Sequence, residues 1–372
     1  MKYIQCKSKF IIIFFFYFIY FIPKENIKKF FHYFKVLSKE RTVGVINLPN
    51  FQNVGNILVK YSMFKILNEF GFNATIISPI LRSLEWKSDM SFINRTIKDH
   101  SIEVSENFSE LNERNFDYLI VNSDQTWGFY WEKYFYNVAL LKFAENWTVH
   151  KFMYATSMGS YDWYFKKEDE IVFKKLLKNF SGISFREKGT VKIVEDHLGL
   201  KSVFVLDPTL LLDKQYYLNE IKNYNSDFLP KDKFIFVYQL DKNPVLEKTI
   251  KIASEKLNMT IYKLILKKSN YIENFLLSIY KSQAVIVDSF HGTIFSIIFN
   301  KPFISFSNKL RGKARFDSLK ELFNLNDRII ESDGYSHINI NLLLEPLNIN
   351  KTEFNKLKEF SINYLKKNLD LI

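Results

Sequence analysis

Val285-Ile286-Val287-Asp288-Ser289-Phe290-His291-Gly292-Thr293 is the most informative stretch of this chain. A short apolar, β-branched run stops at an acid, a histidine and a glycine follow on the turn, and a helical pattern begins near Thr293. Strand, turn and helix in that order form the building unit of a parallel α/β sheet. Glycine lets the backbone approach a ligand closely. The free N–H groups at a helix start suit a phosphate or a carboxylate. Histidine at such a turn can move protons near neutral pH or pair with an anion.

The same punctuation recurs on both sides of this stretch. After it come a helix over 293–299 and the strand Phe303–Phe306, then helices near 315–324 and 352–367; before it lie the strands Phe234–Tyr238 and Thr260–Leu264, each followed by a helical pattern. Nearer the N-terminus, short runs rich in Val, Ile, Phe and Tyr start at Val43, Ala74, Tyr118, His150, Gly182 and Ser202, with helical patterns between most of them. Residues 82–115 read as polar and helical, and 213–232 as polar and irregular. Short, continuous apolar strands belong to parallel sheets covered on both faces. The expectation is an α/β protein of two Rossmann-like lobes facing across a cleft. It has a basic, hydrophobic arm over 1–41, a first lobe over 42–212, a linker over 213–232, a second lobe over 233–345 and a C-terminal helix within 346–372. Ligands should bind where the C-terminal ends of both sheets meet.

The chain has 372 residues and a formal net charge of +12. Residues 1–41 hold nine cations (Lys2, Lys7, Lys9, Lys24, Lys28, Lys29, Lys35, Lys39, Arg41) against two anions (Glu25, Glu40), so more than half of the excess lies in the arm. Too little basic charge is left on the lobes for the stripe a nucleic-acid binder needs, and no nucleic-acid partner is expected. One cysteine, Cys6, excludes a disulfide framework and a thiolate metal site. The apolar run Phe10–Ile22 is shorter than the ~20 residues of a membrane-spanning helix. No small-residue cleavage site follows it, and Ile27, Phe30, Phe31, Phe34 and Leu37 then alternate with lysines. That amphipathic basic pattern suits the surface of an anionic membrane. The arm is therefore expected to make peripheral contact with the inner face of the cell membrane, with the protein in the cytoplasm.

Only eight of the 52 cations are arginines, so each one is informative. Arg186, just after a strand in Ser184-Phe185-Arg186-Glu187, is a candidate bidentate anion clamp. Asn53-Val54-Gly55-Asn56 occupies the first strand–helix turn, where a doubly wound sheet binds its ligand, but it lacks the glycines of a dinucleotide fingerprint. Asn53 and Asn56 suit sugar hydroxyls or a phosphate, and they also suit plain helix capping. Ser123-Asp124-Gln125-Thr126-Trp127 ends another strand, where Asp124 and Gln125 can bond to a sugar and Trp127 can stack on it. No Asp-x-Asp, phosphate loop, His-Glu-x-x-His or Gly-x-Ser-x-Gly occurs, and no metal site is expected.

Taken in order, these segments resemble the polysaccharide pyruvyl transferase family. The resemblance runs through Asn53-Val54-Gly55-Asn56, Val121–Trp127, Tyr154–Gly159, Ile183–Glu187, Leu206-Asp207-Pro208-Thr209-Leu210-Leu211, Ser289–Thr293 with Phe295–Phe303, and Arg315-Phe316-Asp317-Ser318-Leu319 with Asp327-Arg328. It covers about 42–330. It implies a GT-B-like glycosyltransferase fold and transfer of the pyruvyl group of phosphoenolpyruvate onto two hydroxyls of a sugar, in a cell-surface glycan or its lipid-linked precursor. Phosphate is released, and there is no cofactor beyond phosphoenolpyruvate as co-substrate. On that reading His291 is the general acid and Asp124 orients or deprotonates a sugar hydroxyl. Arg186, Ser289, Gly292, Thr293 and Arg311 bind the donor; Asn53, Asn56, Gln125 and Trp127 bind the acceptor. Ser289 stands where characterised members tend to read arginine, so Lys309, Arg311 or Arg315 supplies the charge from a neighbouring loop, or the donor differs. A GT-B transferase using a nucleotide sugar and a non-catalytic glycan-binding protein of the same fold are the alternatives.

Overall fold

A computed structural model describes residues 41–50, 53–80, 90–128, 132–264, 270–307, 312–331, 338–349 and 351–372. Residues 1–40, on which the membrane-arm expectation rests, lie outside the described residues. Among the described residues no helix is long and apolar enough to cross a membrane.

The first lobe is built on the parallel strands β1 (Thr42–Ile46), β2 (Asn73–Pro79), β3 (Ser101–Val104), β4 (Tyr118–Val121), β5 (His150–Met153) and β6 (Phe180–Gly182) in the order β3-β2-β1-β4-β5-β6. A short pair, β7 (Ser184–Phe185) and β8 (Val203–Phe204), continues it through single bridges from Thr156 to Asp124 and to Phe185. The second lobe holds β9 (Phe234–Tyr238), β10 (Thr260–Lys263), β11 (Ala284–Val287), β12 (Phe303–Ser307) and β13 (Ile329–Glu331) in the order β10-β9-β11-β12-β13. Every pairing is parallel. The central strands β1, β4, β9 and β11 are buried almost throughout, which explains their unbroken apolar reading. β3 was expected to be helical. It is an edge strand with Ile102 and Glu103 exposed, and half-exposed edges carry no continuous apolar run.

Helix α1 (Val54–Glu69) follows β1 and is capped by Asn53, whose Oδ1 accepts from the N–H groups of Gly55 (2.8 Å) and Asn56 (3.3 Å). It is buried on nearly every side because it lies between its own sheet and the second lobe. The other helices used below are α2 (Lys188–Leu198), α3 (Lys214–Ile221), α4 (Tyr271–Lys281), α5 (Phe290–Ile298), α6 (Lys313–Phe323) and α7 (Lys351–Asn368). One hydrophobic core runs from Val43, Ile57 and Phe64 of the first lobe to Phe236, Phe275 and Phe295 of the second.

The stretch 213–232, expected as an irregular linker, contains α3 and contributes to that core. Tyr217 is fully buried, with its ring 4.8 Å from Phe295, and its hydroxyl donates to the Thr209 carbonyl (2.8 Å). Tyrosine and isoleucine spaced along a polar helix lay one face between the lobes, which composition alone does not show. The expected C-terminal helix is present as α7 and packs on the first lobe. Ser361 Oγ accepts from the Leu206 N–H (2.9 Å), and the Tyr364 hydroxyl donates to the Met153 carbonyl (2.8 Å). Across the lobes, Arg95 pairs with Glu273 of α4 and Glu220 of α3, both at 2.8 Å.

Gly55 sits at a close approach of the lobes, since a Cβ built on it would lie 1.9 Å from Nδ1 of His291. Glycine is required there by space, with an ordinary helical backbone. Lys60, just over a turn further along α1, is buried. Its ammonium donates to the Leu48 carbonyl (3.1 Å) and Asn50 Oδ1 (2.6 Å), and burial lowers its pKa to about 7 against the pull of Asp124 and Glu103.

Gly55→Ala should destabilise the protein by about 1–3 kcal/mol, the cost of overpacking, read as a lower denaturation midpoint at unchanged slope. Lys60 binds its proton more weakly folded than unfolded. Its unfavourable contribution is therefore full below pH about 7 and fades as pH rises toward about 10. The stability of Lys60→Met relative to wild type should thus fall across that window in urea titrations. A difference independent of pH would show that Lys60 does not titrate there.

Candidate active site

The C-terminal ends of β4, β7 and β11 converge on one buried carboxylate. Asp207 follows β8, is 2% exposed and caps the short helix after it, accepting from the Thr209 N–H (3.0 Å) and hydroxyl (2.6 Å). Its second oxygen receives Arg186 Nη1 (2.5 Å) and the Ser123 hydroxyl (3.2 Å), and lies 3.6 Å from His291 Nε2. Burial alone would raise the Asp207 pKa, but the adjacent His291 ring and Arg186 guanidinium hold it well below the usual carboxylate range. Arg186 and the Ser289–Thr293 turn, about 100 residues apart in the chain, thus meet.

Arg186 is 3% exposed and also reaches Asp124 through Nη2 (3.4 Å). Burial opposes its charge, yet the carboxylates of Asp207, Asp124 and Glu187 outweigh that cost and raise its pKa. Asp124 stands at the switch point of the first sheet, where strand order reverses between β1 and β4. Its φ of +112° is unfavourable for a residue with a Cβ; the bridge to Thr156 and the Gln125 N–H on Oδ1 (2.9 Å) hold it there. Burial would raise its pKa, but Arg186, His291, the Gln125 N–H and Arg315 lower it. Asn56 offers Nδ2 to the same carboxylate at 3.4 Å. Glu187, fully buried against the Ser157 hydroxyl, is pushed up by burial despite Arg186.

From the second lobe, Arg315 at the start of α6 places its guanidinium 5.0 Å over the Phe290 ring, and Arg186 lies 4.9 Å over the same ring. Burial and the Arg186 charge lower the Arg315 pKa to about 10. Two guanidiniums therefore stand among ionised Asp124 and Asp207, with Glu187 beside them. Three buried polar atoms around this cluster have no hydrogen-bond partner among the described residues: His291 Nε2, Arg186 Nε and Asn56 Oδ1. Unsatisfied buried groups gathered in one place mark where a polar ligand would be held.

Other expected site residues are placed differently. Trp127 is fully buried, its ring edge-on to Phe135 and Phe185 at 5.4 Å. It belongs to the first lobe's core, so a sugar cannot stack on it. Thr293 is also fully buried, its hydroxyl between the Ser289 carbonyl (3.0 Å) and Ser305 Oγ (2.6 Å). Gly292 gives its N–H to Ser289 Oγ (3.3 Å) and packs on Val287. Gly292 and Thr293 are thus committed inside the protein, and Ser289 acts as the cap of α5. Asn53 likewise spends its side-chain oxygen on capping α1. Gln125 lies against Gly159, where a Cβ would meet its Nε2 at 2.1 Å and the Gly312 Cα at 3.3 Å. Arg311 and Lys309 lie outside the described residues; of the three cations expected to compensate for Ser289, Arg315 is seen in the cluster. Among the described residues no group of three or more His, Cys, Asp or Glu side chains is placed to hold a metal ion.

Asp207, the residue that joins the site, shows no sign of that role in the sequence. Asp-Pro after a strand reads as a helix cap, which it also is, and nothing local indicates that its other oxygen faces Arg186 and His291.

The family model for polysaccharide pyruvyl transferase matches residues 53–309. No curated protein matches the chain. Among solved structures it is similar to the S. aureus MnaA–UDP complex, at 13% identity and a TM-score of 0.53, over 89% of this chain and 98% of that one. It is also similar to Medicago truncatula UGT71G1 complexed with UDP-glucose, at 10% identity and a TM-score of 0.49, over 87% and 94%. The two α/β domains with parallel sheets are GT-B-like. The matched span reaches from the Asn53 cap through Asp124, Arg186 and Asp207 to the His291 turn and fills more than half of the sequence, and on that ground the chain belongs to the polysaccharide pyruvyl transferase family.

Proposed function

We propose that this protein transfers the pyruvyl group of phosphoenolpyruvate to two hydroxyls of a sugar in a cell-surface glycan or its lipid-linked precursor. The observation that carries this reading is the meeting of Arg186 and His291 on Asp207, inside the family span, beside unpartnered buried polar atoms. His291 gives a proton to the donor's methylene carbon, which becomes a methyl group and leaves C2 electron-poor. One sugar hydroxyl adds to C2, the C2–O bond to phosphate breaks, and the second hydroxyl closes the ketal. Of the two hydroxyl protons, one restores His291 and the other leaves with the phosphate. Asp124 orients a hydroxyl oxygen or relays its proton to the departing phosphate. Arg186 and Arg315 face the donor's carboxylate and phosphate, and Arg315 supplies the charge that Ser289 lacks.

The deciding assay offers phosphoenolpyruvate or sugar nucleotides together with a glycan acceptor. Phosphate release that depends on phosphoenolpyruvate supports the reading; release of nucleotide instead would replace it with sugar transfer. His291→Ala should lower kcat by about 10²–10⁴-fold with donor KM little changed. Full kcat at saturating donor would remove His291 from the chemistry. Arg186→Ala would leave Asp207 and Asp124 uncompensated at a cost of about 3–5 kcal/mol, so Arg186→Lys is the better probe. It keeps the charge, loses the planar fork and should raise donor KM more than it lowers kcat.

The basic, apolar composition of residues 1–41 supports peripheral attachment to the cytoplasmic face of the membrane as part of this reading. In cell fractionation the full chain should sediment with membranes and a version beginning at Thr42 should not; equal distribution would refute attachment.

A further inference from the structure

With Trp127 buried, the site has lost its expected aromatic surface for a sugar, and a different ring, that of Tyr161, lies against the segments that carry its guanidiniums. Tyr161 lies two residues past Gly159, the glycine that backs Gln125. A Cβ on Gly189 would come within 2.4 Å of the Tyr161 ring, so one part of that ring rests on the backbone at the start of α2. The residue is nevertheless 49% exposed, which leaves the ring open to solvent away from Gly189. Its hydroxyl donates to Asp317 Oδ2 of the other lobe (3.0 Å). Gly189 is three residues past Arg186 and Asp317 two past Arg315, so Tyr161 bridges the two segments that carry the site's guanidiniums. Burial, then the charges of Asp317 and Glu187, hold the phenol well above its usual range and keep the ring neutral. Beside it Tyr164 is 43% exposed, and its hydroxyl bonds to Ser160 Oγ (2.7 Å) and Asp162 Oδ2 (3.3 Å). An exposed aromatic ring seated on Gly189 and tethered through its hydroxyl to a carboxylate has chemistry that suits a pyranose: a face for its C–H groups and polar atoms for its hydroxyls.

We propose that Tyr161 is the platform on which a pyranose ring of the glycan acceptor stacks beside the site. This rests on the glycan-acceptor reading above but not on the identity of the donor. The test is saturation-transfer NMR of the full chain with lactose, cellobiose, maltose and N,N′-diacetylchitobiose. Wild type should transfer to at least one of them. Tyr161→Ala should weaken that binding about tenfold, the scale of one aromatic contact. Tyr161→Phe should retain it, because the ring and not the Asp317 tether is required. Thermal midpoints of both variants, measured alongside, show that each is folded. Equal transfer by wild type and Tyr161→Ala, or no transfer from any saccharide, overturns the proposal. Phosphate release from phosphoenolpyruvate, measured on the same preparations, reports separately on the donor. Its absence with Tyr161-dependent saccharide binding intact would refute the donor reading alone.

Discussion

Asp207 has one carboxylate and three obligations: it caps a helix, neutralises Arg186 and stands beside His291. A buried carboxylate is costly unless it is paired and hydrogen-bonded, and here both oxygens are occupied. The groups it gathers come from β4, β7 and β11, so its geometry is met only when the two lobes are docked in one arrangement. Removing Arg186 would take away the buried charge that balances Asp207. The site and the interface between lobes are thus the same set of contacts.

The surrounding packing supports that arrangement. A single apolar core passes from one sheet to the other through α1 and α3, and Tyr217 closes the gap between Thr209 and Phe295. The lobes meet without a side chain at Gly55, where only hydrogen leaves room for the His291 ring. A second seam runs along α2 and α6, where Lys188 pairs with Glu321 and Tyr161 reaches Asp317. These contacts tie the two lobes together.

The electrostatic balance bears on how a donor would be held. Arg186 is already matched by carboxylates, and its pKa is raised by them. Arg315 feels the neighbouring cation and burial more strongly, and its pKa falls to about 10. An added dianion would favour both guanidiniums in their charged form and draw them from their present partners. Asp124, held at a positive φ and partly accessible, is the carboxylate nearest the switch-point crevice. The strain at its backbone is kept by the bridge to Thr156, which ties it to the edge of the same sheet.

Much of the architecture was legible in the sequence, because a strand covered on both faces must be continuously apolar and a helix must start at a cap. The central strands of both sheets and α1 behind Asn53 follow from that local physics, as does the family resemblance along the motifs; α5 begins three residues earlier than its pattern suggests, because Ser289 caps it. Edge strands such as β3 escaped, since exposure of Ile102 and Glu103 leaves no continuous apolar run. α3 escaped because its buried face is defined by what lies opposite. Identity alone marked Arg186, Asp124 and His291 as chemically able, and it marked Trp127 and Thr293 equally. Only the tertiary structure separated them, because burial and partners depend on residues distant in the chain: Trp127 closed over by Phe135 and Phe185, Thr293 tied to Ser305, Arg186 and His291 brought to Asp207 from separate sheets. Local sequence determines which elements form and which chemistry they carry; which side chains share a site is decided by how the two sheets pack, and that is a property of the whole fold.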